Sequence, residues 1–271
     1  MSEYQRQFAH QPRKRFGQNF LRDTNVIDRL ERAIGAQPDQ QLVEIGPGLG
    51  ALTEALLQSG CMLDAIELDR DLVTPLLAAF SVYPNFTLHS ADALNFDYTS
   101  LGEPESRLRI VGNLPYNIST PLIFKLLDHA SRIDDMHFML QLEVVERLTA
   151  SPGSKHWGRL GVIAQFLCET ELLFEVPPEA FDPPPKVQSA IVRLRPHRKP
   201  VWPDCPVEAL RTLVRKAFAQ RRKTLRNNLK GIVTSATIED LGIDPGARAE
   251  TLHLEQFVAL AMHLRAEDSR R

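Results

Sequence analysis

Short, nearly unbroken apolar runs recur along the chain, each followed by a segment whose apolar positions fall three or four residues apart. QLVEIG (41–46), MLDAIELD (62–69), FTLHSAD (86–92) and LRIVGN (108–113) have the length and side-chain character of buried strands. ALTEALLQSG (51–60), closed by Gly60, and RDLVTPLLAAF (70–80), with Pro75 inside or bounding it, read as the helices between them. STPLIFKLLDHA (119–130) offers Ser119 or Thr120 as a cap and Pro121 in the first turn of another helix. DMHFMLQLEVVERL (135–148) predicts a strand running into a helix, and GVIAQFLCETELLFEV (161–176) a helix and a strand. SAIVRLRP (189–196) predicts a late strand. Strands alternating with helices predict a doubly wound, largely parallel α/β sheet.

The texture changes at RPHRKPVWPDCP (195–206), where four prolines interrupt any periodicity. Beyond it the pattern is helical only. Leu210, Leu213, Val214 and Ala217 share one apolar face, and Leu225 and Leu229 continue the stripe. A boundary near residue 200 is expected, with a main domain over 1–200 and a small C-terminal helical domain over 201–271.

Composition adds little: 43% hydrophobic and 24% charged residues are ordinary for a soluble globular chain. The distribution of charge adds more. Gly35 to Ile110 carries 11 acidic and 3 basic residues, whereas Lys186 to Lys230 carries 13 basic and 2 acidic ones. A near-neutral chain with one strongly basic quarter often meets a polyanion there, although a solvated charged face explains the composition equally well. Cys61, Cys168 and Cys205 are odd in number and far apart, so neither a disulfide framework nor a zinc knuckle is expected. His89, His137 and the other histidines lack ligand spacing, so no metal is expected. The N-terminus has no apolar signal-peptide core, and no run approaches the roughly 18 apolar residues of a membrane span. A cytoplasmic protein away from membranes is expected.

Candidate chemistry sits at the strand ends. VEIGPGLGALTEAL (43–56) is a glycine-rich turn from strand to helix, and Glu67 lies 21 positions after Gly46, at the end of the next strand. That spacing suits a carboxylate that accepts hydrogen bonds from ribose hydroxyls. Gly46, Gly48 and Ala51 also satisfy the dinucleotide pattern G-x-G-x-x-[GA], so a nicotinamide oxidoreductase competes on this segment. Glu44 before the turn and Pro47 within it are unlike a pyrophosphate cradle. Asp92, ending the third strand, places a further acid along the same carboxyl edge. Gly46, Glu67 and Asp92 together resemble the S-adenosylmethionine (SAM) site of Rossmann-like methyltransferases. There the first acid holds ribose and the second lies near the adenine amine.

The fourth strand ends in Asn113-Leu114-Pro115-Tyr116. Adenine N6 is a poor nucleophile because its lone pair is delocalised into the ring. The Asn113 amide oxygen and the Leu114 carbonyl could grip the two N6–H protons and free that lone pair. They would also stabilise the positive charge that develops as a methyl group arrives. Pro115 fixes the direction of the carbonyl, and Tyr116 offers a face for an extruded base. This tetrapeptide resembles the signature of adenine-N6 methyltransferases, and its Leu form after VGN resembles the ribosomal RNA adenine dimethyltransferases.

Three further segments resemble that family. KRFGQNFL (14–21) is similar to its N-terminal motif, which implies that Asn19 and Leu21 close over SAM. FDPPPKVQSAIVRL (181–194) is similar to its F-x-P-x-P-x-V-x-S motif, which implies that Phe181 stacks on the other face of the target base. FAQRRKTLRNNL (218–229) resembles its basic C-terminal helix. One helix would set Arg215, Arg222 and Arg226 on roughly one face, with Arg221 and Lys223 beside them as phosphate contacts. Arg13, Lys14 and Arg15 would extend the basic surface or form a solvated tail. Trp157 and Trp202 fit either core packing or RNA stacking.

The likeness runs from about residue 10 to 260. It implies a Rossmann-like SAM-dependent methyltransferase with a small helical domain, acting as a monomer. The bacterial small-subunit branch is the nearest, which implies N6,N6-dimethylation of two adjacent adenosines in the 3′-terminal hairpin loop of 16S rRNA, with a part in ribosome biogenesis. A large-subunit rRNA methyltransferase of the resistance type is the alternative, and an assembly factor acting mainly by binding is another.

Overall fold

The computed structural model describes residues 18–103 and 105–268. Arg13, Lys14, Arg15 and the first four residues of KRFGQNFL lie outside them.

The described residues fall into two compact units. The first runs through Val145 and takes in Glu171–Pro196; the second combines Glu146–Thr170 with the chain from His197. The expected boundary near residue 200 therefore lies close to one structural break, but Glu146–Thr170, expected in the main domain, packs with the C-terminal unit instead.

The large sheet is built from β2 (Gln41–Ile45), β3 (Met62–Glu67), β4 (Phe86–Ser90), β5 (Leu108–Asn113), β6 (Ile133–Gln141), β7 (Cys168–Val176) and β9 (Ser189–Pro196). Their order is β4-β3-β2-β5-β6-β9-β7. The pairs β2–β3, β3–β4, β2–β5 and β5–β6 are parallel, and β6–β9 is antiparallel. Strand order reverses at β2, whose neighbours β3 and β5 lead outward in opposite directions. In such sheets a crevice opens at that switch point, beyond the carboxyl ends of the strands. Leu42, Val43, Ile110 and Val111 are fully buried, as expected of strands covered on both faces.

Helices α2 (Ala51–Gln58), α3 (Arg70–Phe80) and α4 (Ser119–Asp128) link the strands as the sequence predicts. Neither Ser119 nor Thr120 caps α4; Ile118 takes that position, and the Ser119 hydroxyl donates to the Tyr116 carbonyl at 3.2 Å. Helix α1 (Thr24–Ile34) and the two-residue strands β1 (Phe20–Leu21) and β8 (Phe181–Asp182) lie outside the sequence expectations. α1 carries clear local signals nonetheless. The Asp23 side chain accepts from the Asn25 and Val26 N–H groups, Ile27, Leu30 and Ile34 form its buried face, and Gly35 ends it in the left-handed region.

In the second unit, α6 (Arg159–Leu167), α7 (Val207–Ala217), α8 (Leu225–Asn228), α9 (Ser235–Asp240) and α10 (Leu254–Asp268) follow α5 (Leu142–Leu148), which straddles the break. Leu210, Leu213, Val214, Ala217, Leu225 and Leu229 are all buried, so the apolar stripe is real. The continuous helix is not. α7 ends at Ala217, and the Asn228 amide donates to the carbonyls of Ala217 (2.7 Å) and Gln220 (3.0 Å), groups that a longer helix would have used itself. No described helix is long and apolar enough to cross a membrane.

Candidate active site

The carboxyl ends of β2, β3, β4 and β5 meet around a surface-open cavity, within the first unit. Asn19, Leu21, Gly46, Gly48, Glu67, Asp92, Asn113, Leu114, Pro115 and Tyr116 all line it. Ten residues spread over ninety-eight positions of sequence are thus gathered into one space: eight stand at or past the carboxyl ends of β2, β3, β4 and β5, and Asn19 and Leu21 reach it at β1.

The glycine turn follows β2. Gly46 and Gly48 have φ of +69° and +60°, a region closed to most side chains. A Cβ on Gly48 would also sit 3.0 Å from the Phe20 ring, so this glycine both turns the chain and admits β1. The Gly48 N–H donates to Glu67 Oε2 at 3.3 Å, and the Asp69 N–H donates to Glu67 Oε1 at 2.8 Å. Glu67 is only 6% exposed, yet each oxygen retains acceptor capacity toward the cavity. Burial pushes its carboxyl up to about 7, against the pull of those backbone donors. Asp92 accepts from the Leu94 N–H at 2.9 Å and from Asn95 Nδ2 at 2.7 Å, so it shapes its own turn while lining the cavity.

The Asn113 amide is fixed by its nitrogen. Nδ2 donates to the Asn19 carbonyl at 2.9 Å, which commits the donor side and leaves Oδ1 as an acceptor. The backbone beyond it is tied down at Leu114, whose N–H donates to the Met139 carbonyl on β6 at 3.2 Å. Tyr116 is half-buried, and its hydroxyl meets Ser189 Oγ at 2.8 Å. Burial pushes its phenol up, so the ring stays neutral.

Phe181 departs from expectation. It is 3% exposed, sits in the core beside Phe20 and Leu21, and does not line the cavity. Its strand β8 pairs antiparallel with β1, Leu21 opposite Phe181 and Phe20 opposite Asp182. In this structure Phe181 anchors the strand that carries Leu21.

Two polar residues that line the cavity, Glu44 and Gln18, were given no site role by the sequence reading. Glu44, 2% exposed, lies behind the turn and accepts from the Thr53 hydroxyl at 2.6 Å. Burial, with Glu67 adding repulsion, raises its carboxyl to about 7. A lone acid inside the apolar run QLVEIG was the available signal. Gln18 donates to Asp69 Oδ2 at 2.9 Å, latching the segment before β1 to the start of α3. It lies within the N-terminal motif, but nothing in its residue type marks it.

The two buried carboxyls set a sign for stability against pH. Their folded values near 7 exceed the ordinary 4.5, so between these limits the folded state holds protons that the unfolded chain releases. Ligand-free protein should therefore melt at a lower temperature as pH rises from 5 toward 8, and Glu44→Gln should flatten that slope. A Glu44→Gln slope as steep as that of the wild type would contradict this assignment; buried His137, lowered to about 4, works against the fall below about pH 6.5.

The basic residues belong to the second unit. Arg215 lies in the last turn of α7 and Arg226 in α8, with Arg221, Arg222 and Lys223 in the turn between them. All five are exposed, but no single helix face carries them. Arg221 is held by Glu250, whose carboxylate accepts from Nε at 2.8 Å, and by the Lys155 carbonyl. Trp157 is core, 3% exposed with Nε1 donating to the Leu252 carbonyl, and Trp202 stacks on Phe166. Among the described residues no His, Cys, Asp and Glu cluster has the makings of a metal site.

A doubly wound sheet whose switch-point cavity is lined by a glycine turn, two strand-end acids and an Asn-Leu-Pro-Tyr stretch defines a Rossmann-like SAM-dependent methyltransferase. Solved structures carry the same fold. The chain superposes on the 23S rRNA methyltransferase ErmE with TM-score 0.72 at 29% identity, over 91% of this chain and 100% of that one. A dimethyladenosine transferase from Plasmodium falciparum superposes with TM-score 0.80 at 24% identity, over 92% and 98%. Residues 9–265 match the family described as ribosomal RNA adenine dimethylase, and the chain belongs to that family. Ribosomal RNA small subunit methyltransferase A of Pseudomonas putida is 57% identical over 95% of this chain and 97% of its own. The protein of that name from Hahella chejuensis is 56% identical over 96% of both.

Proposed function

We propose that this protein methylates adenine N6 in 16S rRNA of the small ribosomal subunit, carrying two adjacent adenosines of the 3′-terminal hairpin loop to N6,N6-dimethyladenosine. The similarity to small subunit methyltransferases over nearly the whole chain supports the substrate. The observation that carries the chemistry is the Asn113 amide, held through its nitrogen so that its oxygen remains an acceptor in the cavity beside Tyr116.

The residues present fit SAM. Glu67 has lone pairs left for a ribose diol, Asp92 for an adenine amine, and Gly46, Pro47, Gly48 and Leu49 of the turn line the same cavity. Asn19 and Leu21 border the same space, and Asn113 joins them there. SAM would supply an electrophilic methyl group on a sulfonium. Asn113 Oδ1 and the Leu114 carbonyl then accept from the two N6–H groups, and Pro115 fixes that carbonyl's direction. Tyr116 provides the stacking face, worth about 1–3 kcal/mol per base. No side chain need act as base, because N6 turns acidic on methylation and can release its proton to water.

Methyl transfer from labelled SAM to hypomethylated small subunits, large subunits and free RNAs tests this reading. Dimethyladenosine, identified by mass, should appear only in small-subunit RNA. Transfer confined to large-subunit RNA would replace the substrate.

The exposed cations Arg215, Arg221, Arg222, Lys223 and Arg226 are proposed as phosphate contacts, Arg221 through the edge that Glu250 leaves open. Arg222→Glu with Arg226→Glu should weaken RNA binding across sequences and make its logarithmic salt slope shallower by about 2 or more. An unchanged slope in fluorescence titrations at several salt concentrations would remove these residues from the interface.

A further inference from the structure

Tyr116 needs its ring held, and side-chain rotamers alone do not hold it. The torsion that turns an aromatic ring is broad and soft, and Tyr116 is only half-buried. The structure supplies a tether from a distant part of the chain. Ser189 Oγ lies 2.8 Å from the Tyr116 hydroxyl, and Ser189 itself is wholly buried. Ser189 opens β9, directly opposite Gln141 in the antiparallel β6–β9 ladder, so its hydroxyl stands on a rigid element. The backbone of the tetrapeptide is fixed from two further sides, at Leu114 by the Met139 carbonyl of β6 and at Tyr116 by the Ser119 hydroxyl of α4.

We propose that Ser189 is a positioning residue for methyl transfer: its hydroxyl fixes the tilt of the Tyr116 ring, and thereby the plane in which the target base is presented. The inference rests on Asn113–Tyr116 being the base-binding stretch. With its hydroxyl turned to the buried Ser189, the ring is held from its outer end, and the contribution assigned to Tyr116 is its face. The pair spans 73 positions of sequence. It also gives the serine of F-x-P-x-P-x-V-x-S a job distinct from that of Phe181 at the other end of the same motif.

The test is a double-mutant cycle on full-length protein, with small subunits as substrate. Ser189→Ala and Tyr116→Phe each remove the same bond and keep the ring, so each should lower kcat by roughly fivefold to tenfold. The double variant should fall no further than either single one. SAM affinity and melting temperature should be almost unchanged, and Ser189→Thr should restore most of kcat. A purely structural serine would instead lower melting temperature without this split. If Tyr116→Phe alone loses activity while Ser189→Ala does not, the hydroxyl serves the substrate and the proposal fails. Additive losses would overturn it too. Should Ser189→Ala fold poorly, Tyr116→Phe with Ser189→Thr still decides, since an unimpaired Tyr116→Phe rules out any role for the tether. Inactivity of the wild type on small subunits, or full activity of Asn113→Ala, would mark failure of the underlying reading instead.

Discussion

Replacing Asn113 with Ala is expected to lower kcat by about 10²–10³, the usual consequence of deleting one preorganised polar partner of a developing charge. Two losses combine in that variant. The acceptor for one N6–H disappears, and the Asn19 carbonyl, now bonded to Asn113 Nδ2 at 2.9 Å, loses its donor. SAM affinity should weaken only a few-fold, because Glu67 and Asp92 stand on other strands. Asn113→Asp separates the two contributions. It keeps oxygen acceptors at the same place but turns an amide donor into a carboxylate facing a carbonyl, and should cost roughly tenfold to a hundredfold. Single-turnover methyl transfer with saturating SAM is the measurement. An Ala variant within about threefold of the wild type would mean that the amide does not orient the amine.

The second large effect concerns stability. Gly112 precedes Asn113 on β5, where the strand passes β2 so closely that a Cβ would lie 2.5 Å from the Ile45 carbonyl oxygen. A backbone atom within a five-residue strand of a parallel sheet cannot rotate away as a side chain would. Gly112→Ala should therefore destabilise the fold by about 3 kcal/mol, and lower Tm by roughly 6–12 °C. Gly153 provides a contrast in the second unit: nothing lies within 4 Å of its would-be Cβ, but φ is +84°. Gly153→Ala should cost only the left-handed conformational strain, about 1–2 kcal/mol. A Gly112→Ala melting temperature equal to that of the wild type would show that β5 and β2 can separate without penalty.

Gly112 also explains why activity and fold are tied at this point. Any shift of β5 away from β2 would carry Asn113 with it, since the two residues are consecutive on one strand. Gly112→Ala protein that folds should therefore lose kcat as well as stability.

The site was legible to the extent that its residues ride on local pattern. Gly46, Glu67, Asp92 and Asn113 each end or follow an apolar run, and a parallel α/β sheet brings the carboxyl ends of its strands to one edge. Their convergence follows from topology, so the spacing was sufficient. Phe181 was not legible in the same way. A phenylalanine among prolines has the same sequence signature whether it caps a cavity or fills a core. Its fate is decided by β1, a two-residue strand too short to carry any periodicity. Ser189 lay within a quoted motif, yet only the ladder that sets it opposite Gln141 reveals which hydroxyl it meets.

The basic segment shows the opposite imbalance. Its apolar positions predict burial correctly, since Leu225 and Leu229 are both fully buried. Periodicity alone could not tell one long helix from two short ones on the same face. Tertiary bonds make that choice. The Leu225 N–H donates to the Ala247 carbonyl and the Arg226 N–H to the Pro245 carbonyl, while Asn228 satisfies the end of α7.

By itself, then, the amino-acid sequence determined the alternation of strands and helices, the edge at which the polar residues emerge and the chemistry they can share. These depend on side-chain period and residue type, which are local. Only the tertiary structure decided that Phe181 faces inward, that Glu146–Thr170 packs with the C-terminal unit, that Arg222 leaves the helix and that Tyr116 leans on Ser189. Those outcomes are settled by competition between distant backbone and side-chain partners for the same space and the same hydrogen bonds, which no window of neighbouring residues contains.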